Sequence, residues 1–263
     1  MSIENINFND IYKEQKSLSS FKMKSKEAWD EKAKWMNKRV HKSIYNDGFM
    51  GLIEIGDSTS LLDVGCGVGN LSLLLAKKIE TINALDYSTG MLEILNANAK
   101  EKKIDNIHTF NLSWYDNWKS VPKSDIVIAS RSMEVSDMQE ALEKLNEKAN
   151  KRVYLSYKVG GSFLSEDILK AMKREVVKKP DYIYVVNILY SMGINARVDF
   201  ISSEGRSTVY NSLDAFLQSV SWSIGELSDT EKTRLATYYE EHVKDKGDNT
   251  DYVKWAVISW NKK

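Results

Sequence analysis

A chain of 263 residues with 37 basic and 37 acidic side chains carries no net charge, so no global positive field draws in nucleic acid. Its 42% hydrophobic and 28% charged residues belong to a folded chain, not a disordered one. A single cysteine excludes an internal disulfide framework and argues against a cysteine-based zinc site. The N-terminus, MSIENINFNDIYKEQK, has no apolar signal core, and no stretch approaches the roughly 20 apolar residues of a membrane helix. A cytoplasmic protein of one large or two small domains is expected.

Residues 1–24 are polar, with scattered Ile3, Ile6, Phe8, Ile11 and Tyr12. Ser25 reads as the N-cap of a helix from Lys26 to Tyr45. Ala28, Trp29, Trp35, Met36, Val40 and Ile44 recur there at helical spacing, and Asn46-Asp47-Gly48 supplies a stop. The first strand runs from Leu61 to Val64 and ends in Gly65-Cys66-Gly67-Val68-Gly69. A helix follows with Leu71, Leu74, Leu75 and Ile79 on one face, then a second strand, Ile82 to Leu85, stopped by Asp86. Ser88 caps a helix to about Lys100, with Met91, Leu92, Leu95 and Ala99 inward. Further strands are predicted at Ile107 to Leu112, Asp125 to Ala129, Arg152 to Tyr157 and Ala196 to Ile201. The nearly continuous apolar run of the fourth fits a sheet covered on both faces. Helices are predicted at Asp137 to Ala149, Ser165 to about Lys178, and Pro180 to Met192, the last ended by Gly193. Beyond the sixth strand, Ser212 to Trp222 reads as helix. The capping-box pattern Ser228-Asp229-Thr230-Glu231 opens another, to about Gly247. Tyr252 to Trp260 is the last strand. Strands alternating with helices imply an α/β fold with a mostly parallel sheet.

The stretch from Leu61 to Asp86 is a strand, glycine turn, helix, strand, acid unit. A Cβ on the turn would hold a ligand away from the backbone. N–H groups at the helix start would face that ligand, and an acid ending the second strand can accept both hydroxyls of a ribose. The alternative is a tight turn with no ligand. The spacing is G-x-G-x-G, whereas dinucleotide folds favour G-x-G-x-x-G, which disfavours a nicotinamide-dependent oxidoreductase.

The string Asp63-Val64-Gly65-Cys66-Gly67-Val68-Gly69, with Asp86 closing the next strand, resembles motif I and the ribose-binding acid of class I S-adenosylmethionine-dependent methyltransferases. The resemblance implies a Rossmann-like sheet of seven strands, the last antiparallel beside the fifth. It implies S-adenosylmethionine as cofactor and S-adenosylhomocysteine as product. Gly65, Cys66, Gly67 and Gly69 would pass under the cofactor, and Asp63 suits its ammonium group. Asp86, reaching outward, would hold the ribose diol, with Tyr87 and Met91 toward adenine. The family places an acid after the third strand, and here Asn111-Leu112-Ser113-Trp114 has none. Ser113 or Asn111 would accept from the adenine amine instead, with Trp114 packed on the ring.

After the fourth strand, Ser130-Arg131-Ser132-Met133-Glu134 occupies the position that lies near the transferable methyl in related enzymes. It is not the N/D-P-P-Y of amino methyltransferases acting on bases. Ser130 is taken with the cofactor. Arg131 suits a substrate carboxylate or phosphate, or else forms a structural ion pair with Glu134. Tyr157 would orient a nucleophile or act as base. His41 is a third catalytic candidate, against a plain packing histidine. No metal is expected. Residues 1–48 are read as a helical cap and 49–263 as the methyltransferase domain, with a helical insertion at about 202–250. The expected function is methyl transfer to a small, acidic molecule. Its pocket would be closed by the Trp29–His41 helix and the insertion. A non-catalytic S-adenosylmethionine-binding protein and a protein or RNA methyltransferase are the alternatives. Nucleic acid and membrane are not expected as partners, and a homodimer stays open.

Overall fold

Side chains alternate across each strand, so apolar residues at successive positions need cover on both sides. In the computed structural model, which describes every residue but 1, 22, 40, 206–209, 245–251 and 263, they find it. The strands are β1 (Ser60–Val64), β2 (Thr81–Asp86), β3 (Ile107–Asn111), β4 (Ser124–Ala129), β5 (Ala149–Lys158), β6 (Arg197–Glu204) and β7 (Tyr252–Asn261). They form one sheet in the order β3-β2-β1-β4-β5-β7-β6. Strands β1 to β5 pair in parallel, and β7 lies antiparallel between β5 and β6. The seven-stranded sheet with a reversed last strand is thus present as expected.

On one face, Leu62, Val64, Val127, Ala129, Val153 and Leu155 pack on α1 (Phe8–Leu18), α6 (Met138–Lys148) and α8 (Tyr182–Ser191). On the other, Leu61, Ile82, Ile126 and Ile128 meet Tyr45 and Phe49 of α3 (Ile44–Leu52), beside α4 (Ser72–Leu75). Ala84 meets Leu92 and Leu95 of α5 (Thr89–Glu101). Each such buried side chain contributes about 1.5–3 kcal/mol. A separate cluster joins Phe21, α7 (Glu166–Met172), α9 (Leu213–Ile224) and α10 (Asp229–His242) through Met172, Phe216, Val220 and Leu235. The Ser228–Glu231 capping box forms. Glu231 also takes both Nε and Nη2 of Arg174, at 2.5 and 2.7 Å, a fork that ties α10 to the chain after α7.

Three local readings differ. The helix expected from Lys26 to Tyr45 is two, α2 (Lys26–Arg39) and α3. Ser43 caps α3, and the Glu204 carboxylate at the end of β6 accepts Ser43 Oγ and the Ile44 N–H, at 2.6 and 2.8 Å. Asn46-Asp47-Gly48 therefore sits inside α3 and stops nothing. At Gly48 a Cβ would stand 3.2 Å from Ile201, so this glycine lets α3 lie close on β6. Leu74 is exposed, because α4 is a single turn whose neighbours Leu71, Leu73 and Leu75 are the buried ones. The α7 helix ends at Lys173, which takes a left-handed φ of 57°, well short of Lys178. Val40 and Gly247, read as helical, lie outside the described residues.

Candidate functional site

Parallel pairing brings the carboxyl ends of β1, β2, β4 and β5 to one edge, with the glycine turn, Asp86, residues 130–135 and Tyr157 along it. All three turn glycines have positive φ, yet they serve different ends. A Cβ at Gly65 would lie 2.2 Å from Ser132 Cβ, and one at Gly69 2.1 Å from Leu95 Cδ1. Those two make room for the protein. At Gly67 a Cβ would meet only Met91 Sδ, at 4.0 Å. Gly67 alone opens onto free space, where a ligand can touch the backbone. The single-turn α4 offers little helix dipole, so binding rests on the turn and on Asp86.

Asp86 turns inward, not outward. It is 7% exposed, and its two oxygens accept the N–H groups of Gly67 and Ser88, each at 2.9 Å. Burial raises its pKa, and those N–H groups oppose the rise. Each oxygen keeps a second acceptor position, enough for a diol. Asp63 lies beneath the turn and accepts Ser72 Oγ at 2.6 Å. Burial pushes its pKa up to about 7, with the Ser72 hydrogen bond pulling down and the Asp86 charge pushing up. Cys66 is buried too, which raises its thiol pKa.

The cover was only partly legible. Trp29 of α2 packs with Ala33, Val68 and Met91, so α2 does lie over the glycine turn. It meets the insertion there. Trp29 and Trp222 of α9 stand edge to face at 5.6 Å, and the Lys32 ammonium sits 3.1 Å from the Trp222 ring centre. Asp30, unremarked in the sequence, anchors α2 by accepting Ser88 Oγ at 2.5 Å and the Gly90 N–H at 2.9 Å. These are groups at the start of α5, where a carboxylate also meets the favourable end of the helix dipole. The half-buried Tyr87 gives its hydroxyl proton to the Lys24 carbonyl, at 3.1 Å, which pins the chain ahead of α2. Burial, with the Asp86 and Asp30 charges, takes its pKa up to about 12. Trp35 is exposed. His41 bonds Asn37 at 2.7 Å and faces Lys102 beyond the far end of α5, away from the strand ends. It is no partner to this site. Burial and Lys102 lower its pKa.

Around the adenine position the structure is tighter than the sequence suggested. Ser113 is engaged with Asp116, to which its N–H and hydroxyl both donate, at 2.7 and 2.8 Å. Trp114 gives its indole N–H to the Ser132 carbonyl at 3.0 Å. Asn111 donates to the Asp86 carbonyl at 3.0 Å. Beyond β4, Tyr45 of α3, which the sequence reading passed over as a helix end, bridges Ser130 Oγ and Ser156 Oγ at 2.8 and 2.6 Å. Arg131 has a positive φ of 55°, held by its N–H to Ser156 Oγ at 2.9 Å. Its half-buried guanidinium lies 4.2 Å from the Tyr45 ring centre and has no ion pair among the described residues. Burial lowers its pKa, with Tyr45 and Glu204 opposing. Glu134 pairs with Lys16 and Lys179 instead. The Tyr157 hydroxyl is buried with no hydrogen-bond partner among the described residues. Burial and the Glu134 charge raise its pKa, so it is no ready base. Among the described residues no group of three or more His, Cys, Asp or Glu is placed to hold a metal ion.

A parallel sheet reversed at its last strand, with an open glycine and an acid at one edge, defines a Rossmann-like domain for a nucleoside cofactor. A family profile described as "Methyltransferase domain" matches residues 61–152. An uncharacterized protein of Haemophilus influenzae is 36% identical over 99% of this chain and 98% of its own. A 23S rRNA (uracil(1939)-C(5))-methyltransferase of Aliivibrio fischeri is 24% identical over 46% of this chain and 28% of its own length. The YcgJ protein of Bacillus subtilis shares the fold, with a TM-score of 0.57, 14% identity, and coverage of 83% of this chain and 98% of its own. Residues 61–152 thus carry a methyltransferase domain, on the Rossmann-like fold of the class I S-adenosylmethionine-dependent enzymes. The residues fit that cofactor, since Gly67 leaves a cradle that a Cβ would fill and Asp86 keeps acceptor positions free. An rRNA methyltransferase among the relatives removes support for the expectation that nucleic acid is no partner. No helix among the described residues is long and apolar enough to cross a membrane.

Proposed function

We propose that this enzyme methylates a small acidic molecule in a covered site. The observation that carries the reading is Arg131, a half-buried guanidinium past β4 without an ion pair among the described residues. A buried charge is costly unless something pairs it, and a guanidinium presents a fork that fits carboxylate or phosphate. Tyr45 stacks against it and Ser156 fixes its backbone, so it is held ready. When bound, S-adenosylmethionine supplies a methyl already activated on a sulfonium, so displacement needs alignment and a water-poor site more than strong acid–base help. Gly67, Asp86, Tyr87 and Met91 would hold it, with Asp63 and Cys66 shaping the floor and Trp114 and Ser130 the walls. Arg131 orients the acceptor. Residues 1–48 and the α9–α10 insertion act as cover, and the Trp29–Trp222 contact joins the two.

The test is transfer of labelled methyl to a panel of small carboxylic and phosphorylated acids, set against bulk RNA and ribosomal protein. Label is expected in a small acid. Arg131→Met should raise KM for it about 10- to 100-fold, the scale of a lost charged hydrogen bond, and leave S-adenosylhomocysteine binding unchanged. Label confined to RNA or protein would refute the small-molecule reading.

A further inference from the structure

Two residues past Ser132, at Glu134, two ammonium groups share one carboxylate oxygen. Lys16 of α1 and Lys179, ahead of α8, both donate to Glu134 Oε2, at 2.9 and 2.8 Å. Their side chains are only 8% and 14% exposed. An ammonium carries three donors, and Glu134 is the one acceptor each has among the described residues. Two largely buried ammonium groups thus share one carboxylate, and that carboxylate is 43% exposed, so the cluster has excess positive charge and opens to solvent on its Glu134 side. Lys24 adds positive charge within range of Lys179, and the Phe21 ring lies 5.8 Å from the Lys179 ammonium.

A second observation points to the same spot. Tyr157, 6% exposed, lies within reach of the Glu134 charge, and its buried hydroxyl has only the Tyr12 hydroxyl beside it. The neighbouring Tyr12 hydroxyl donates to the Val135 carbonyl at 2.8 Å. Asp181, the other acid facing Tyr157, is occupied by the N–H groups of Tyr182 and Gly160, at 2.7 and 3.0 Å. Glu134 stands two residues past Ser132, the residue against which Gly65 packs, and two residues span at most about 7 Å. Glu134 and Arg131 both follow β4 and Tyr157 ends the adjacent β5, so the cluster lies at the same carboxyl-end edge of the sheet as Arg131.

We propose that Lys16, Lys179 and Tyr157 form a second oxyanion subsite for the acceptor, which accordingly carries two acidic groups, each a carboxylate or phosphate. Arg131 takes one and the lysine pair takes the other. The assignment rests on the acceptor reading above.

The test titrates inorganic phosphate, acetate and the dicarboxylates from malonate to adipate into the full chain at fixed ionic strength, with and without S-adenosylhomocysteine. Thermal midpoint reports anion binding, and calorimetry reports S-adenosylhomocysteine separately, so failure of cofactor binding and failure of the subsite are told apart. One dicarboxylate is expected to saturate at least about tenfold below acetate, because its second group binds at high effective concentration. Lys179→Gln and Lys16→Gln should bring it to the acetate level with S-adenosylhomocysteine binding intact. Glu134→Gln, which removes the competing carboxylate, should tighten it several-fold. Tyr157→Phe should weaken it about three- to tenfold without lowering the midpoint of the free protein. A mere structural clip would instead give lower midpoints in the lysine and Glu134 variants and an unchanged anion response, which overturns the proposal. Equal response to acetate and every dicarboxylate overturns it too. So does loss of S-adenosylhomocysteine binding in Lys179→Gln, which would assign the cluster to the cofactor's own carboxylate.

Discussion

Asp86→Asn separates the two duties of this carboxylate. In the folded chain it accepts two backbone N–H groups at 2.9 Å. Asparagine keeps one acceptor oxygen, so one charged hydrogen bond is lost, a cost of about 1.5–3 kcal/mol. Against that stands the desolvation of the charge, which raises its pKa despite the N–H groups it accepts. The terms oppose, and a net stability change within about 1 kcal/mol is expected in a urea melt near neutral pH. Binding has no such offset. A ribose diol that loses a charged acceptor should bind S-adenosylhomocysteine about 1.5–3 kcal/mol more weakly, or roughly 10- to 150-fold by calorimetry. Asp86→Ala is different. It strands both N–H groups, at about 1–3 kcal/mol each, and should cost about 2–6 kcal/mol of fold stability as well. Wild-type affinity in a folded Asp86→Asn protein would refute the ribose role.

Asp63 is expected to make the protein less stable as pH rises. Its folded pKa of about 7 lies above the unfolded 3.8, so the native state binds the extra proton between those values and stability falls through that window, by on the order of 2–4 kcal/mol. Asp63→Asn, which can still accept from Ser72, should flatten the profile and raise the urea midpoint at pH 8. A steeper profile would contradict this. Gly67→Ala should fold, at a strain of about 1–2 kcal/mol for its left-handed φ, yet bind S-adenosylhomocysteine poorly. Gly69→Ala should fail on stability, because Leu95 must move. Trp222→Ala should speed hydrogen exchange in α2 while leaving β1 and β4 protected. Unchanged exchange in α2 would mean that the two covers are independent.

The strand and helix order was readable because each strand carries its own burial pattern and most helices their own caps, as Ser88, Asp137, Ser212 and Ser228 show. What escaped was set by distant partners. Ser43 caps α3 by accepting the Tyr45 N–H, and Glu204, 161 residues away, reinforces the cap by accepting the Ser43 hydroxyl and the Ile44 N–H. Gly48 reads as a stop until Ile201 shows that it is a point of close approach. Asp30 looks like one more polar residue on a helix, since nothing local announces Ser88 and Gly90 as its donors. The motif marked the turn, and only the packing of Ser132 and Leu95 tells which glycine stays open.

The placement of β7 orders events during folding. It is last in sequence but sits inside the sheet, and among the described residues it is the only sheet neighbour of β6. Strand β6 can join the sheet of β1 to β5 only through β7. Closing that connection means bringing together segments about a hundred residues apart, which is slow compared with the local βαβ pairings of β1 to β5. Glu204 lies at the end of β6 and reinforces the cap of α3. Tyr45, in the first turn of that helix, bridges Ser130 and Ser156 and stacks on Arg131. The nucleoside half of the cleft can thus mature early, while the acceptor half waits for β7. A folding chain should pass through a species competent to hold S-adenosylhomocysteine before it can orient anything to be methylated.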